Sequence, residues 1–229
     1  MEVCVDNVFS VLNAAAGGAC RLEVCSALSE GGLTPTPALL AFCKNRTSIP
    51  AFCMVRLRGG GFVYSSDEVA VMAEDAATLV GYGADGLVFG ALNADRTVDE
   101  DACRRIAEAG GVPLTFHRAF DEVADPWAAL DTVADLGFKR ILTSGQRKTA
   151  AEGLPLLEWL SKNDRIPIMP GSGVNVSNLG EILRRTGVSE FHGSAAAEVE
   201  TGGGLLRVTD SRQVKDMVAI YNSFRNQTM

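Results

Sequence analysis

Residues 1–25 read MEVCVDNVFSVLNAAAGGACRLEVC. Two short β-like runs, 2–5 and 21–25, flank a stretch whose apolar residues Val8, Leu12 and Ala15 fall on one face of a helix. Gly17-Gly18 precedes the second run, and such a pair is typical of a helix C-terminus, where glycine accepts the left-handed conformation. The segment therefore predicts a β–α–β unit in which the helix covers two parallel strands.

The same unit recurs along the whole chain. Eight β-like runs start about 27 residues apart on average, at 2–5, 21–25, 51–56, 86–90, 113–118, 140–144, 166–170 and 190–194. Eight units predict a single (β/α)₈ TIM barrel over residues 1–229. An open doubly wound sheet is the alternative, but it usually begins with a glycine-rich turn. Asp6-Asn7-Val8, directly after the first strand, contains no glycine.

Residues 195–210 interrupt the repeat. They run through Glu198, Glu200 and Gly202-Gly203-Gly204 without a clear period. We expect a mobile loop over the mouth of the barrel, with a short helix at its start, or a disordered connector.

Composition excludes several classes of protein. The net charge is -7 and no run of Lys or Arg exceeds two residues, which argues against a nucleic-acid-binding surface. The sequence contains no stretch of about 18 apolar residues, so it predicts no membrane span. The chain also starts without the pattern of a signal peptide. We therefore expect a cytoplasmic protein whose six cysteines remain thiols.

Alternation along the strands predicts an unusually polar barrel interior. Successive strand residues face opposite sides, which places charged and polar side chains on the barrel side. These are Glu2, Cys4, Asp6, Glu23, Cys25, Met54, Arg56, Thr115, His117, Glu190, His192 and Ser194. Buried carboxylates need partners, and Arg56, His117 and His192 are the expected ones. A closed structural network without further function is one interpretation of this pattern.

An anion site is predicted at the turns after strands seven and eight. Backbone N–H groups there commonly hold a phosphate or carboxylate in this fold. The residues expected to contribute are Arg56, Arg58, Ser144, Gly171, Ser172, Gly173, Gly193 and Ser194.

A second site is predicted from the inward sulfurs of Cys4 and Cys25 on adjacent strands. Two thiolates suit monovalent copper better than a hard cation. Buried cysteine is also common as a small apolar filler, so both interpretations stay open at this point.

An enzyme is the alternative function. Glu2, Glu23 and His117 are its candidate proton-transfer groups, acting on a small phosphorylated or carboxylated metabolite. This hypothesis depends largely on analogy with other barrels.

Several motifs resemble the CutC copper-homeostasis family. They are MEVCVD at 1–6, RLEVCS at 21–26, SEGGLTP at 29–35, RLRGGGF at 56–62, GADGLVFG at 83–90, LTFHRAFD at 114–121, LTSGQ at 142–146 and EFHGSA at 190–195. The resemblance implies a cytoplasmic TIM barrel that self-associates and handles copper. It also implies monovalent copper bound at the positions of Cys4 and Cys25. Leu57, Gly61 and Cys20 depart from the family pattern.

Overall fold

The computed structural model describes residues 1–228, and it confirms the predicted barrel. Eight short parallel strands form one sheet. They are β1 (Glu2–Val5), β2 (Arg21–Val24), β3 (Ala51–Met54), β4 (Gly86–Phe89), β5 (Leu114–Phe116), β6 (Arg140–Thr143), β7 (Ile168–Pro170) and β8 (His192–Gly193). All eight fall within the ranges expected from the sequence, and most are one to three residues shorter.

Eight helices surround the sheet. They are α1 (Val8–Gly17), α2 (Pro37–Arg46), α3 (Ser66–Gly81), α4 (Glu100–Gly110), α5 (Pro126–Asp135), α6 (Leu154–Leu160), α7 (Leu179–Thr186) and α8 (Ser211–Thr228). Short 3₁₀ turns at Leu28–Glu30 and Arg118–Glu122 follow β2 and β5. Within residues 1–228, no helix combines the length and the apolar character needed to cross a bilayer.

Local signals explain where the helices begin and end. Asn7 starts α1 by accepting a hydrogen bond from the N–H of Ser10 (2.9 Å), which satisfies a backbone donor that the first helical turn leaves free. Gly18 and Gly187 end α1 and α7 with φ angles of 89° and 67°, conformations that favour glycine. The glycines that predicted the ends of helices therefore have the conformation that the prediction required.

The sheet curves into a nearly closed barrel. The strand order is β7-β6-β5-β4-β3-β2-β1-β8, so β7 and β8 are its two edges in the described chain. Register places Cys4 beside Glu23 across β1 and β2, and Glu2 beside His192 across β1 and β8. These pairings bring polar residues that are distant in sequence into the same part of the barrel interior.

Outward-facing strand residues form the hydrophobic layer under the helices. Val3, Val5, Leu22 and Val24 are fully buried there. Burial of each such side chain stabilises the fold by roughly 1.5–3 kcal/mol. The apolar layer lies outside the barrel, which leaves the interior for the charged residues.

The short helix and the disordered connector expected at residues 195–210 were wrong, but the segment does lie over the mouth of the barrel. They form an antiparallel hairpin of β9 (Ala196–Thr201) and β10 (Gly204–Thr209), joined by Gly202-Gly203. A two-glycine connection between segments that can pair is a hairpin signal, and helical periodicity does not reveal it.

The hairpin is attached to α1. The N–H of Thr209 donates to the Ser10 hydroxyl (3.0 Å), and the Asn13 amide donates to the Thr209 carbonyl (2.8 Å). Because Val208 and Thr209 are also buried, the base of the hairpin packs firmly against the barrel at α1.

Candidate functional site

A cavity of about 800 Å³ opens at the C-terminal ends of the strands. Its wall includes strand residues, the turns that follow β5, β7 and β8, and the inner side of the hairpin. Active sites of this fold lie at the same end of the barrel. The volume is in the range of pockets that bind small organic molecules.

Three ligand-type side chains meet at the base of this cavity. The Cys4 sulfur, a carboxylate oxygen of Glu23 and a ring nitrogen of His192 all lie within 4.8 Å of one another. All three residues are buried. The geometry and the atom types are those of a potential metal site.

Glu2 fixes the orientation of His192. The Nδ1 atom of His192 lies 2.8 Å from Glu2 Oε1, and Nε2 lies 3.8 Å from Glu23 Oε2. With Nδ1–H donating to Glu2, the remaining ring nitrogen faces Cys4 and Glu23. Histidines that bind metals are commonly held by a carboxylate in the same way.

Two carboxylates beside His192 have opposite environments. Burial acts to raise the pKa of Glu2, but the hydrogen bond to His192 and the charge of Arg21 outweigh it and lower that pKa to about 2. Burial raises the pKa of Glu23, against the opposing charge of His192. Burial disfavours the His192 cation, yet the negative groups around it, Glu23 first, raise its pKa well above the usual value. Of the two carboxylates beside His192, Glu2 is therefore the one that stays ionised.

One oxygen of Glu23 is available to a ligand. Glu23 Oε2 accepts a hydrogen bond from the Cys25 thiol (3.5 Å), whereas the buried Oε1 has no protein partner. A buried polar atom without a partner costs about 1–3 kcal/mol. Such an atom at the wall of a cavity is therefore a sign of a ligand position.

Cys25 lies beside the group but outside it. It is fully buried against Phe52, Met54 and Val88. Burial, followed by the charges of Glu23 and Cys4, raises the pKa of its thiol well above the usual value. The structure thus brings Cys4 together with Glu23 and His192, and it places Cys25 one contact further away, on Glu23.

His117 is held rigidly at the end of β5. Its Nδ1 accepts a hydrogen bond from the N–H of Ala119 (3.2 Å), and the Phe62 ring lies 4.8 Å away between centroids. A Cβ on Gly90 would come within 2.7 Å of Nδ1, so the ring needs glycine there. Burial, followed by the charge of Arg56, lowers the pKa of His117 to about 3.

The state of His117 follows from these contacts. Since Nδ1 is an acceptor, the proton of the neutral ring is on Nε2. That buried atom has no protein partner, although His117 lines the cavity. His117 is therefore a neutral hydrogen-bond donor at the cavity wall.

The two arginines expected at the anion site have different surroundings. Arg56 is buried and lines the cavity, but its guanidinium donates to the carbonyls of Glu30 (2.7 Å) and Gly60 (2.7 Å). Arg58 pairs with Glu68 and is not part of the cavity wall. The structure therefore brings only Arg56 to the cavity.

Ser144 is engaged in hydrogen bonds with neighbouring protein groups. It is fully buried, and its hydroxyl donates to Asp121 Oδ2 (2.9 Å) while Arg118 donates to it (3.2 Å). Its N–H also donates to Asp121 (2.9 Å). These contacts use Ser144 to hold Asp121, which lines the cavity.

The turns after β7 and β8 reach the cavity as expected. Ser172, Gly173, Gly193 and Ser194 all line it. The N–H of Gly171 is used differently, since it donates to the Thr143 carbonyl (3.0 Å). A Cβ on Gly171 would lie 2.4 Å from Leu142 Cδ1, so Gly171 provides close packing between strands.

Two interior arginines were missed. Arg21 pairs with both Glu2 and Glu190, and Arg140 donates to Glu190 (3.1 Å) and to Thr115 (3.0 Å). Both occupy strand starts whose alternation places them with the inward residues. That alternation is the signal that could have identified them.

Comparison with known proteins agrees with this architecture. The CutC family model matches residues 1–197. The copper homeostasis protein cutC homolog of Homo sapiens is 50% identical over 205 residues, covering 88% of this chain and 75% of the human protein. A CutC family protein of Vibrio cholerae is 44% identical over 200 residues, covering 85% and 79%.

Solved structures give the same result. A crystal structure of a CutC protein from Streptococcus agalactiae superposes with a TM-score of 0.80 at 33% identity, covering 84% of this chain and 97% of that one. Thiamine phosphate pyrophosphorylase from Pyrococcus furiosus reaches a TM-score of 0.64 at 18% identity, covering 97% and 95%, and shares the fold alone. On the family match and these identities, the chain belongs to the CutC family.

Proposed function

We propose that this protein binds monovalent copper as part of copper homeostasis, at the base of the barrel mouth. The observation that carries the proposal is the buried group of Cys4, Glu23 and His192, with ligand atoms within 4.8 Å. Thiolate and imidazole are ligands that monovalent copper accepts readily. The names of the human and Streptococcus relatives point in the same direction.

Cys25 supplies the second sulfur in this proposal. Its thiol donates a hydrogen bond to Glu23 Oε2 and so lies next to the group of Cys4, Glu23 and His192. The ion is then held by Cys4, Cys25 and the Nε2 of His192, while Glu2 keeps the imidazole in position. Two sulfurs and one nitrogen form a soft set that disfavours Mg²⁺ and Ca²⁺.

Copper titration against a chromophoric copper(I) chelator tests the proposal. Under anaerobic, reducing conditions we expect about one ion per chain, because the ligands form a single group. The double variant Cys4→Ser/Cys25→Ser loses binding, and His192→Gln weakens it at least about tenfold, as expected for loss of a ligand. Cys20→Ser is the matched control, since Cys20 is exposed and lies outside the cavity wall.

Each outcome has a distinct meaning. Full stoichiometry in the double variant contradicts the proposal. Loss in Cys4→Ser and His192→Gln, with no change in Cys25→Ser, contradicts the cysteine pair and locates the ion at Cys4, Glu23 and His192.

The cellular setting is proposed on the same basis. All six cysteines are free thiols in the structure, which fits a reducing compartment such as the cytoplasm. Self-association stays a prediction, and sedimentation of the reduced protein measures it directly.

A further inference from the structure

The cavity is far larger than a single ion requires. A water molecule occupies about 30 Å³ of liquid, whereas the cavity measures about 800 Å³. The Cys4, Glu23 and His192 group lies at its base. The remaining wall contains donors that a metal ion at that group does not use.

The first of these donors is His117. Its Nε2–H is buried without a protein acceptor, and the Ala119 N–H, Phe62 and Gly90 fix the ring. The ring is neutral, so it cannot bind a copper ion through Nε2 without moving the proton to Nδ1, where Ala119 already donates. His117 therefore suits an oxygen acceptor, such as a carbonyl or hydroxyl group.

The second set of donors is the turn after β7. Ser172 and Gly173 both have φ of 70°, in the left-handed region, and both line the cavity. In the described part of the chain, neither N–H donates to a protein acceptor. The turn itself is fixed, since the Ser172 hydroxyl donates to the Lys148 carbonyl (2.8 Å) and its own carbonyl accepts from Ala150 (2.9 Å).

Two arginines line the same cavity. Arg147 and Arg207 line the cavity, and among residues 1–228 neither forms an ion pair. Arg147 belongs to the segment that packs against Ser172. The free N–H groups and these guanidinium groups are complementary to a phosphate or a carboxylate.

We propose that the part of the cavity above the Cys4, Glu23 and His192 group binds a small organic anion. The anionic group of this ligand lies at the Ser172–Gly173 turn and Arg147, and a second oxygen of the ligand accepts from His117 Nε2. The site does not depend on the copper proposal, because it shares no ligand with the Cys4 group. A phosphate ester and a carboxylic acid share this chemistry, and the experiment distinguishes them.

Calorimetric titration of the reduced, chelator-treated protein tests the site. The probes are phosphoglycolate, inorganic phosphate and malonate, so that phosphate and carboxylate groups are compared. We expect phosphoglycolate to bind more tightly than inorganic phosphate, because only the larger probe reaches both donors. Tighter binding of malonate than of phosphoglycolate assigns the turn to a carboxylate.

Two variants and a matched control identify the contacts. Arg147→Gln lowers the affinity for each anion that binds by about tenfold, because a hydrogen bond from a charged group is lost. His117→Asn keeps an acceptor for the Ala119 N–H but lacks the Nε2 donor. It weakens phosphoglycolate about fivefold and leaves inorganic phosphate within about twofold. Lys148→Gln removes the same charge from the same segment outside the cavity wall, and binding stays within about twofold.

Three results overturn the site. They are no binding of any probe to the unaltered protein, equal weakening by Lys148→Gln and Arg147→Gln, and unchanged phosphoglycolate binding in folded His117→Asn. Since Arg147 is exposed, its variant tests the site even where a change at His117 prevents folding. Copper binding is measured separately, so failure of the anion site does not contradict the proposed copper site at Cys4.

Discussion

Acidification should destabilise this protein through His117. The pKa of His117 lies at about 3 in the folded chain, because the ring is buried and Arg56 and Arg118 add positive charge beside it. In the unfolded chain the pKa returns to 6.5. The unfolded state therefore binds a proton that the folded state does not, and stability is lost as the pH falls below 6.5.

The magnitude follows from the two pKa values. At about pH 5 the proton favours the unfolded state by about 2 kcal/mol, and at about pH 7.5 by almost nothing. His192 acts with the opposite sign, since its raised pKa gives stability that is present at low pH and is lost as the pH rises. The total pH profile thus mixes the two histidines.

Comparison with His117→Asn isolates one of them. The variant retains His192, so the difference in unfolding free energy between the two proteins reports His117 alone. Urea unfolding followed by the fluorescence of Trp127 and Trp159 supplies both values. The unaltered protein should lose about 2 kcal/mol relative to the variant between about pH 7.5 and about pH 5. A difference that stays constant within about 0.5 kcal/mol refutes the assignment of a buried, neutral His117.

Three further changes test the fold. Glu2→Gln breaks buried contacts to Arg21 and His192 and should lower the unfolding free energy by about 3–5 kcal/mol in urea; a loss below about 1 kcal/mol contradicts the network. Gly86→Ala places a methyl group 2.4 Å from the Phe52 ring and should cost about 1–3 kcal/mol, whereas an unchanged midpoint is inconsistent with this packing. Ser65→Ala removes the hydrogen bond to the Glu68 N–H at the start of α3 (3.2 Å) and should cost about 1 kcal/mol; thermal melting that matches the unaltered protein argues against this cap.

Much of the barrel was predictable because its signals are local. Alternation along a strand depends only on neighbouring residues, and it correctly placed Cys4, Glu23, His117 and His192 on the inside. Glycine at a helix end is likewise a short-range signal.

The pairing of interior charges was not predictable in the same way. Arg56 was the expected partner of the buried carboxylates, but its guanidinium turns to loop carbonyls. Glu2 and Glu190 instead share Arg21, which lies on the strand beside β1. Which side chain reaches across a barrel depends on register and curvature, and a single sequence does not give either.

The two proposed sites are connected through β8. His192 faces the Cys4 group, and Gly193 and Ser194 directly after it line the cavity near the Ser172 turn. Gly171, before that turn, lies close enough to His192 that a Cβ would approach His192 Cβ at 3.3 Å. These contacts place both turns where a bound ligand can couple to His192. By thermodynamic reciprocity, an anion that changes copper affinity must have its own affinity changed by copper by the same factor. Titration of each ligand in the presence of the other measures that factor, and a value of one shows that β8 holds His192 rigidly whatever occupies the cavity.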